Sequence, residues 1–273
     1  MTQDRTINAA ALQWDVRRGE VEANLATATG LIQEASEAEA QLVVMPEMWA
    51  TSFMGEEAEG TREAVDRAEA AVTTLAGDLG LVLIGSNYEF AADGSIYNRA
   101  KLVDRGDLAG EYRKMHLFSP HGEDRFFAHG ESWLVADTSI GRVAAAICYD
   151  LRFPELIRHL FLAGAELLLV PAQWPAPRDQ HWRTLVKARA IENQWFVVAS
   201  NRCGNEPSLI NETDVSFPGN SLIVDPTGTV LAEGNGEAGV FADELDLKEV
   251  RIVRRAIPIS KDRRVDAYGR FEL

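Results

Sequence analysis

Residues 141–174 read GRVAAAICYDLRFPELIRHLFLAGAELLLVPAQW and contain the pattern that decides the fold. Residues 142–147 form a short apolar run rich in Val, Ile and Ala, which predicts a buried strand, and residues 167–170 predict a second one. Between them, an amphipathic helix is expected to begin near Pro154, because proline suits the first helical turn. Strand, turn, helix and strand in succession are typical of an α/β fold, in which helices cover the sheets.

Cys148 lies where the first of these strands ends and the helix approaches. At such a turn a thiol meets backbone N–H groups and the positive end of a helix dipole, which favour a thiolate and can hold an oxyanion. This position makes Cys148 a candidate nucleophile. The alternative is that it packs as a small apolar side chain, since cysteine is among the most often buried residues. Position alone leaves both interpretations open.

Composition and charge narrow the class of protein. The 273 residues, 46% of them hydrophobic, suffice for one large globular domain with a substantial core. A formal net charge of -15 argues against nucleic-acid binding. No apolar run approaches the ~20 residues that cross a bilayer, and residues 1–14 lack the apolar centre of a signal peptide. With only Cys148 and Cys203 available, we expect no disulfide, no membrane partner and a cytoplasmic location.

The rest of the chain continues the alternation of strand and helix. In chain order, the pattern predicts a strand at 7–13, a helix at 21–38, a strand at 42–45, a helix at 61–79, a strand at 81–85, a hairpin at 88–104 that turns at Asp93-Gly94, a helix at 180–194, a strand at 195–200, a hairpin formed by 220–224 and 229–232, and a strand at 239–245. No low-complexity linker interrupts this order. We therefore expect a single α/β domain over residues 1–273, with mixed sheets.

The segment 251–264 is basic within an acidic protein. A nucleic-acid-binding tail is one interpretation. An exposed arm, or a surface that meets an acidic partner subunit, agrees better with the overall charge.

Several ionisable side chains lie beside apolar runs and are candidates to assist the thiol. Glu47 follows a predicted strand, Lys114 precedes an apolar run, and Glu123 lies in the Gly/His-containing loop that follows. A carboxylate or ammonium group that is enclosed in this way is costly unless it is paired or used in chemistry. Taken singly, each is more simply a surface charge or a member of an ion pair.

Histidine is the rival base. Because His116, His121 and His129 lie within one stretch, their spacing does not exclude a Cys–His dyad. The same histidines together with Glu123 and Asp124 raise the question of a metal site. No tight ligand spacing such as HxxxH supports one.

Three segments, VVMPEMW, YRKMHLF and AAAICYDLRFPEL, occur in this order and resemble the three signature segments of the nitrilase superfamily of carbon–nitrogen hydrolases. The resemblance continues through PAQWPAPRDQHWRTLVKARAIENQWFVVASNRCG and GNSLIVDPTGTVLAE, so it covers nearly the whole chain. Within the superfamily, WPAPR…HW…ARAIENQ and KMHLF are most similar to the omega-amidase branch. That branch hydrolyses the terminal amide of small dicarboxylic monoamides such as 2-oxoglutaramate and 2-oxosuccinamate.

The resemblance implies roles for the candidate residues. It implies Glu47 as general base, Lys114 as the cation that stabilises the oxyanion, and Cys148 as nucleophile. Glu123 matches an additional glutamate that these enzymes place beside the lysine. The backbone N–H of Tyr149 is expected to share the oxyanion with Lys114. The implied substrate is a small-molecule amide, and neither a cofactor nor a metal is implied.

The resemblance also implies the architecture, which is a four-layer α-β-β-α sandwich. Members of the superfamily usually pair, so a homodimer or a higher homo-oligomer is expected. The C-terminal arm, here about residues 250–273, often helps to join the subunits. This offers a use for the basic segment.

The substrate-binding residues are a separate prediction. An omega-amide carries a distal carboxylate, which an arginine can bind. Arg178, in the WPAPR loop, is the candidate for this contact, whereas Arg152 is expected to pair with Glu155 and to steady the turn after Cys148. Aromatic side chains are as common in a core as in a pocket. Three of them are candidate pocket walls: Trp49, Phe53 and Trp174.

Other functions remain open at this point. The same scaffold could hydrolyse N-carbamoyl compounds or aliphatic amides, whereas nitrile conversion is disfavoured because the sequence reads CYDLRFPE where true nitrilases tend to read CWE. A non-catalytic binding member is disfavoured because Glu47, Lys114 and Cys148 are all present. A redox-sensing thiol would leave Glu47 and Lys114 without a role.

Overall fold

The computed structural model describes residues 5–211 and 213–268 of the chain. One six-stranded sheet has the spatial order β14 (Gly239–Asp246), β1 (Thr6–Gln13), β2 (Leu42–Val44), β3 (Val82–Phe90), β4 (Ile96–Asp104) and β5 (Asp107–Arg113). Strands β1, β2 and β3 run parallel, and the other three pair antiparallel to their neighbours. The crossovers between the parallel strands contain α1 (Val21–Glu37) and α2 (Arg62–Asp78).

A second six-stranded sheet comes from the other half of the chain. Its spatial order is β13 (Val230–Glu233), β12 (Leu222–Val224), β9 (Phe196–Asn201), β8 (Leu167–Ala172), β7 (Gly141–Ala145) and β6 (Leu134–Thr138). Strands β7, β8 and β9 run parallel, and their crossovers contain α3 (Pro154–Leu162) and α4 (Asp179–Asn193). The remaining elements are the hairpin of β10 (Cys203–Pro207) and β11 (Asp214–Pro218) and three C-terminal helices, α5 (Lys248–Ala256), α6 (Ile259–Asp262) and α7 (Val265–Tyr268).

Side-chain alternation along β1 explains how the layers stack. Successive side chains of a strand point to opposite faces of its sheet. Ala9 and Ala11 belong to the apolar core that both sheets share, whereas Ala10 and Leu12 belong to the core beneath α1 and α2. On the outer side of the second sheet, α3 and α4 bury side chains such as Val186. The layers are therefore α, β, β, α, which confirms the expected sandwich.

The parallel strands bring three loops to one place. Each group of parallel strands ends at a single edge of its sheet, and open α/β sheets bind ligands at such edges. Glu47 follows β2, Cys148 follows β7 and Gln173 follows β8. The backbone N–H of Glu47 points to the carbonyl oxygen of Ala172, 3.4 Å away, so the loops of the two sheets meet.

The predicted elements occur with shifted ends. The predicted strand 81–85 is part of the longer strand β3, because its polar continuation pairs with β4 across the sheet. Strand β6 and the β10–β11 hairpin had no apolar signature, and Cys203 begins β10. Its thiol and that of Cys148 are both free and buried.

The basic C-terminal segment is partly packed against the body of the protein. Helix α5 buries Val250. Arg254 donates from Nη2 to the carbonyl oxygen of Ala165 at 2.7 Å and from Nε to that of Gln194 at 3.2 Å. Over the described residues, no helix is long and apolar enough to cross a bilayer.

Candidate active site

Cys148 opens into a pocket of about 750 Å³, part of it open to solvent. Seven of its lining residues are aromatic: Phe53, Phe118, Phe126, Phe127, Tyr149, Trp174 and Phe217. Three arginines and two glutamates also line it: Arg18, Arg152, Arg178, Glu123 and Glu206. An apolar pocket with few, convergent polar groups is typical of a small-molecule site.

Glu47 lies behind the pocket and is fully buried. Its Oε1 accepts from Asn98 Nδ2 at 2.7 Å, and its Oε2 accepts from the backbone N–H of Gln173 at 2.9 Å. The next residue, Met48, adopts a φ of 48°, and its N–H donates to Ser86 Oγ. The loop is thus tied to β3, β4 and β8, and the carboxylate has one fixed orientation.

Lys114 follows β5 and is 1% exposed. Its Nζ donates to Glu47 Oε1 at 2.7 Å and to the two oxygens of Glu123 at 2.7 and 2.8 Å. Burial disfavours the charged lysine, but the charges of Glu123 and Glu47 outweigh it and raise the pKa of Lys114. The pair of carboxylates therefore stabilises the protonated ammonium group.

Glu123 reaches the site from a turn. Gly122, at a φ of 75°, joins two short 3₁₀ segments and so directs Glu123 inwards. Its Oε2 also accepts from the backbone N–H of Phe118 at 2.7 Å. Burial, with the like charge of Glu47, raises the pKa of Glu123 to about 7 in spite of Lys114. Two carboxylates here share one ammonium group.

Cys148 begins the 3₁₀ turn Cys148–Arg152 with a φ of 47°. This left-handed conformation costs a side-chain-bearing residue about 1–2 kcal/mol, so the turn must be held from outside. Burial raises the pKa of the thiol well above its ordinary value, Glu47 raises it further, and Lys114 offsets only part of this. The expectation that the turn favours a thiolate was wrong, because burial of the thiol raises its pKa and α3, whose dipole was expected to lower it, begins only at Pro154.

The histidines do not form a dyad with Cys148. His116 Nδ1 lies 2.8 Å from Asp150 Oδ1, and its ring stacks on Phe153. His129 Nδ1 lies 2.9 Å from the carbonyl oxygen of Met115. His121 lines the pocket, where burial and the charge of Arg178 lower its pKa, and its ring makes no hydrogen bond to any described residue. Among the described residues, no group of three or more His, Cys, Asp or Glu side chains could hold a metal ion.

Three of the four predicted substrate-binding side chains line the pocket: Arg178, Trp174 and Phe53. The fourth prediction was wrong. Trp49 is 2% exposed and packs in the core beneath α1 and α2. The positive φ of Met48 turns the chain between Glu47 and Trp49, so these two side chains point in different directions. Tyr149, whose backbone was expected to help to hold the oxyanion, contributes its ring to the pocket wall next to Cys148.

Arg152 was also placed wrongly. No ion pair joins the two described residues Arg152 and Glu155. Instead Arg152 lines the pocket, its guanidinium lies 4.8 Å from the ring centroid of Trp174, and Nη2 lies 3.1 Å from His181 Nδ1. Arg178 lies over Phe118 at 5.4 Å. Among the described side chains, no carboxylate pairs with either guanidinium.

Two polar networks behind the site were missed. Gln173 donates from Nε2 to the carbonyl oxygen of Glu47 at 2.7 Å, and its Oε1 accepts from the fully buried Arg202 at 3.3 Å. Arg202 also pairs with Asp15 and Glu206. Asp150, fully buried, holds the turn of Cys148. The signal for each was a polar residue inside an apolar run, which is costly to bury without partners.

The chain is also similar to known proteins over most of its length. A profile of the carbon-nitrogen hydrolase family matches residues 8–255. The 2-oxoglutaramate amidase of Bacillus subtilis (strain 168) is 36% identical over 261 residues, which cover 95% of this chain and 98% of that protein. The deaminated glutathione amidase of Bos taurus is 34% identical, over 91% of this chain and 79% of that protein. The crystal structure of a carbon-nitrogen hydrolase from Helicobacter pylori G27 superposes with a TM-score of 0.91 at 27% identity and covers 98% of both chains.

Proposed function

This chain belongs to the carbon–nitrogen hydrolase family, and we propose that it is an omega-amidase that releases ammonia from small dicarboxylic monoamides such as 2-oxoglutaramate. One observation carries the proposal. A thiol, Cys148, lies at the wall of the pocket, and the buried pair of Glu47 and Lys114 lies close enough to act on it: Glu47 raises the pKa of the thiol and Lys114 lowers it. These are a nucleophile, a base and an oxyanion partner for amide cleavage.

In the first half of the reaction, Glu47 takes the proton from the Cys148 thiol while the sulfur attacks the amide carbon. The carbonyl oxygen becomes an oxyanion, which Lys114 and the backbone N–H of Tyr149 stabilise. One such donor typically contributes roughly a hundredfold or more in rate. When the intermediate collapses, the C–N bond breaks, Glu47 returns its proton to the leaving nitrogen, and ammonia departs from a thioester.

In the second half, Glu47 takes a proton from a water molecule, whose oxygen attacks the thioester carbon. The same donors hold the second oxyanion. The C–S bond then breaks, the acid leaves, and the sulfur recovers the proton from Glu47. The raised pKa of Cys148 supports this order, because the resting thiol is neutral and ionises only as it attacks.

The substrate class is supported by charge. Arg152 and Arg178 both line the pocket and, among the described residues, lack a carboxylate partner. A guanidinium without a carboxylate partner in a partly enclosed, aromatic site favours an anionic ligand. We assign the distal carboxylate of the substrate to Arg178, with Arg152 as the second cation of that end of the pocket.

Ammonia release tests the function. The substrates are 2-oxoglutaramate and 2-oxosuccinamate, beside glutamine, an aliphatic amide, an N-carbamoyl amino acid and deaminated glutathione, with Cys148→Ala as control. We expect preference for the oxo-acid amides, lost in the variant. Activity on another of these compounds alone would keep the amidase and discard the omega-amidase assignment. No turnover of any compound would reject the proposal.

Assembly and location are part of the proposal. Apolar side chains are exposed on α3, on α4 and in the C-terminal segment: Leu162, Ile191, Ile252, Ile257 and Val265. We propose that a second copy of the chain covers them in a homodimer, and that two free, buried thiols suit a reducing cytoplasm. Sedimentation equilibrium should give twice the 30.1 kDa chain mass, and a monomer at micromolar concentration would contradict the dimer.

A further inference from the structure

Asp150 is the centre of a polar network that touches both segments from which the oxyanion partner and the nucleophile come. The side chain is fully buried. Its Oδ2 accepts from Tyr112 OH and from the backbone N–H of Ile147, both at 2.8 Å. Its Oδ1 accepts from the backbone N–H of His116 at 3.1 Å and from Nδ1 of that residue at 2.8 Å. Each of the two oxygens therefore accepts two hydrogen bonds.

These bonds flank the reacting groups on both sides. Along the chain, Cys148 lies between Ile147 and Asp150, and Lys114 lies between Tyr112 and His116. The backbone N–H of Asp150 also donates to the carbonyl oxygen of Ile147 at 3.0 Å, so the turn is closed twice. One carboxylate thereby joins the end of β5 to the end of β7.

Cys148 needs such a support because of its backbone. At a φ of 47° it holds a conformation that a side-chain-bearing residue adopts only when its surroundings enforce it. A carboxylate that accepts four hydrogen bonds in a dry site is a strong constraint, because each donor would lose its partner if the turn relaxed. Burial and the charge of Asp150 raise the pKa of Tyr112, which keeps its hydroxyl as a donor.

We propose that Asp150 is a positioning residue that fixes Cys148 relative to Lys114 through Ile147, Tyr112 and His116. Turnover then depends on Asp150, whereas substrate binding does not. None of the described residues Asp150, Tyr112 and His116 lines the pocket, so a loss of affinity is not expected when the network is altered.

The test compares Asp150→Asn with a matched control, Asp225→Asn. Asp225 is a nearly buried carboxylate in the β12–β13 turn that accepts from Thr227 and Thr229, and it is not part of the pocket. Because the turnover arm rests on the proposed function, a second arm requires no amide cleavage. It measures the rate at which iodoacetamide alkylates Cys148, with Cys148→Ala as the blank.

For Asp150→Asn we expect kcat to fall by about ten- to a hundredfold with KM within about twofold, because a displacement of ~1 Å costs this much in rate. Alkylation at pH 7 should slow by about tenfold, since the thiol no longer faces its base. Asp225→Asn should match the wild type in both measurements. If Asp150→Asn does not fold, Tyr112→Phe, which removes one donor to Oδ2, is judged by the same criteria.

Three outcomes would overturn the proposal. The first is a folded variant whose kcat and alkylation rate stay within about twofold of the wild type. The second is a rise in KM with kcat unchanged, which would indicate a binding role. The third is the same loss in Asp225→Asn, which would indicate general destabilisation. If the wild type turns over no amide, the proposed function fails, and the alkylation rates still decide the role of Asp150.

Discussion

The Nζ atom of Lys114 lies 2.7 Å from Oε1 of Glu47, and neither side chain is exposed to solvent. Removing two charges from water is expensive, and a buried pair persists only when further hydrogen bonds satisfy both groups. Asn98 and the backbone of Gln173 supply them to Glu47, and Glu123 supplies them to Lys114. The cluster therefore holds a buried, fully hydrogen-bonded carboxylate that raises the pKa of the Cys148 thiol.

Glu47→Gln tests two proposed effects of this carboxylate, its role as the base and its influence on the pKa of Cys148. We expect amide turnover to be lost while the fold is kept, because glutamine fills the same space. The pKa of Cys148 should fall, since the negative charge that raises it has gone while Lys114 remains. Thiolate absorbance at 240 nm against pH, with Cys148→Ala as the blank, measures this. Appreciable hydrolysis by the variant, or an unchanged thiol titration, would contradict the role of Glu47.

Lys114→Met should abolish turnover and destabilise the protein. Removing one partner leaves Glu47 and Glu123 buried without a cation, which typically costs about 3–5 kcal/mol. Without the ammonium group, Glu123 takes up a proton more readily. The loss of unfolding free energy should therefore be smaller at pH 5 than at pH 8. Urea denaturation at both pH values measures it. Lys187→Met, at an exposed position of α4, is the control, and an equal loss in both variants would reject the argument.

Glu123→Gln should change how stability depends on pH. The folded pKa of about 7 lies above the ordinary value of 4.5. Between these values the folded protein holds a proton that the unfolded chain has released, so the unfolding free energy falls as pH rises through that window. The variant lacks this contribution and should gain on the wild type from pH 4.5 to 7. Thermal unfolding over that pH range measures this, with the exposed Asp124→Asn as control. If stability depends on pH in the same way in Glu123→Gln and in the wild type, the raised pKa of Glu123 is excluded.

Arg178→Ala should raise KM for carboxylated amides about tenfold or more and spare an uncharged aliphatic amide, because only the former lose an ion pair. Arg152→Ala should act in the same direction. Steady-state kinetics on both substrate types measures this. Arg67→Ala, at an exposed position of α2, is the control. An equal effect on charged and uncharged amides would remove Arg178 from the carboxylate site.

The same substitution at Trp174 and at Trp49 compares a tryptophan of the pocket with a tryptophan of the core. Trp174→Phe should raise KM, because this ring lines the pocket and its Nε1 donates to the carbonyl oxygen of Arg178 at 2.8 Å. Trp49→Phe should leave KM unchanged and lower the unfolding free energy by about 1–3 kcal/mol, as core truncations do. Kinetics and denaturation of both variants test this. A raised KM in Trp49→Phe would return that ring to the pocket.

Much of this fold is readable from local pattern. The runs at 142–147 and 167–170 and the helix from Pro154 correspond to β7, β8 and α3. Periodicity predicts these elements because it reports, within a few residues, which face of the chain is buried. The position of Cys148 after a strand also follows from it. The strands β6, β10 and β11 could not be predicted, since their pairing depends on partners elsewhere in the chain rather than on apolar alternation.

The sequence by itself therefore determined the order of strands and helices, the α/β class and, through family resemblance, a short list of reactive side chains. Only the tertiary structure decided which of them meet. Glu47 and Lys114 are 67 residues apart, and sheet register brings them to 2.7 Å. The same packing turns Trp49 into the core, brings Arg152 to the pocket and gives Asp150 its four donors. Local propensity acts over a few residues, whereas the position, burial and protonation of a side chain depend on every element that packs around it.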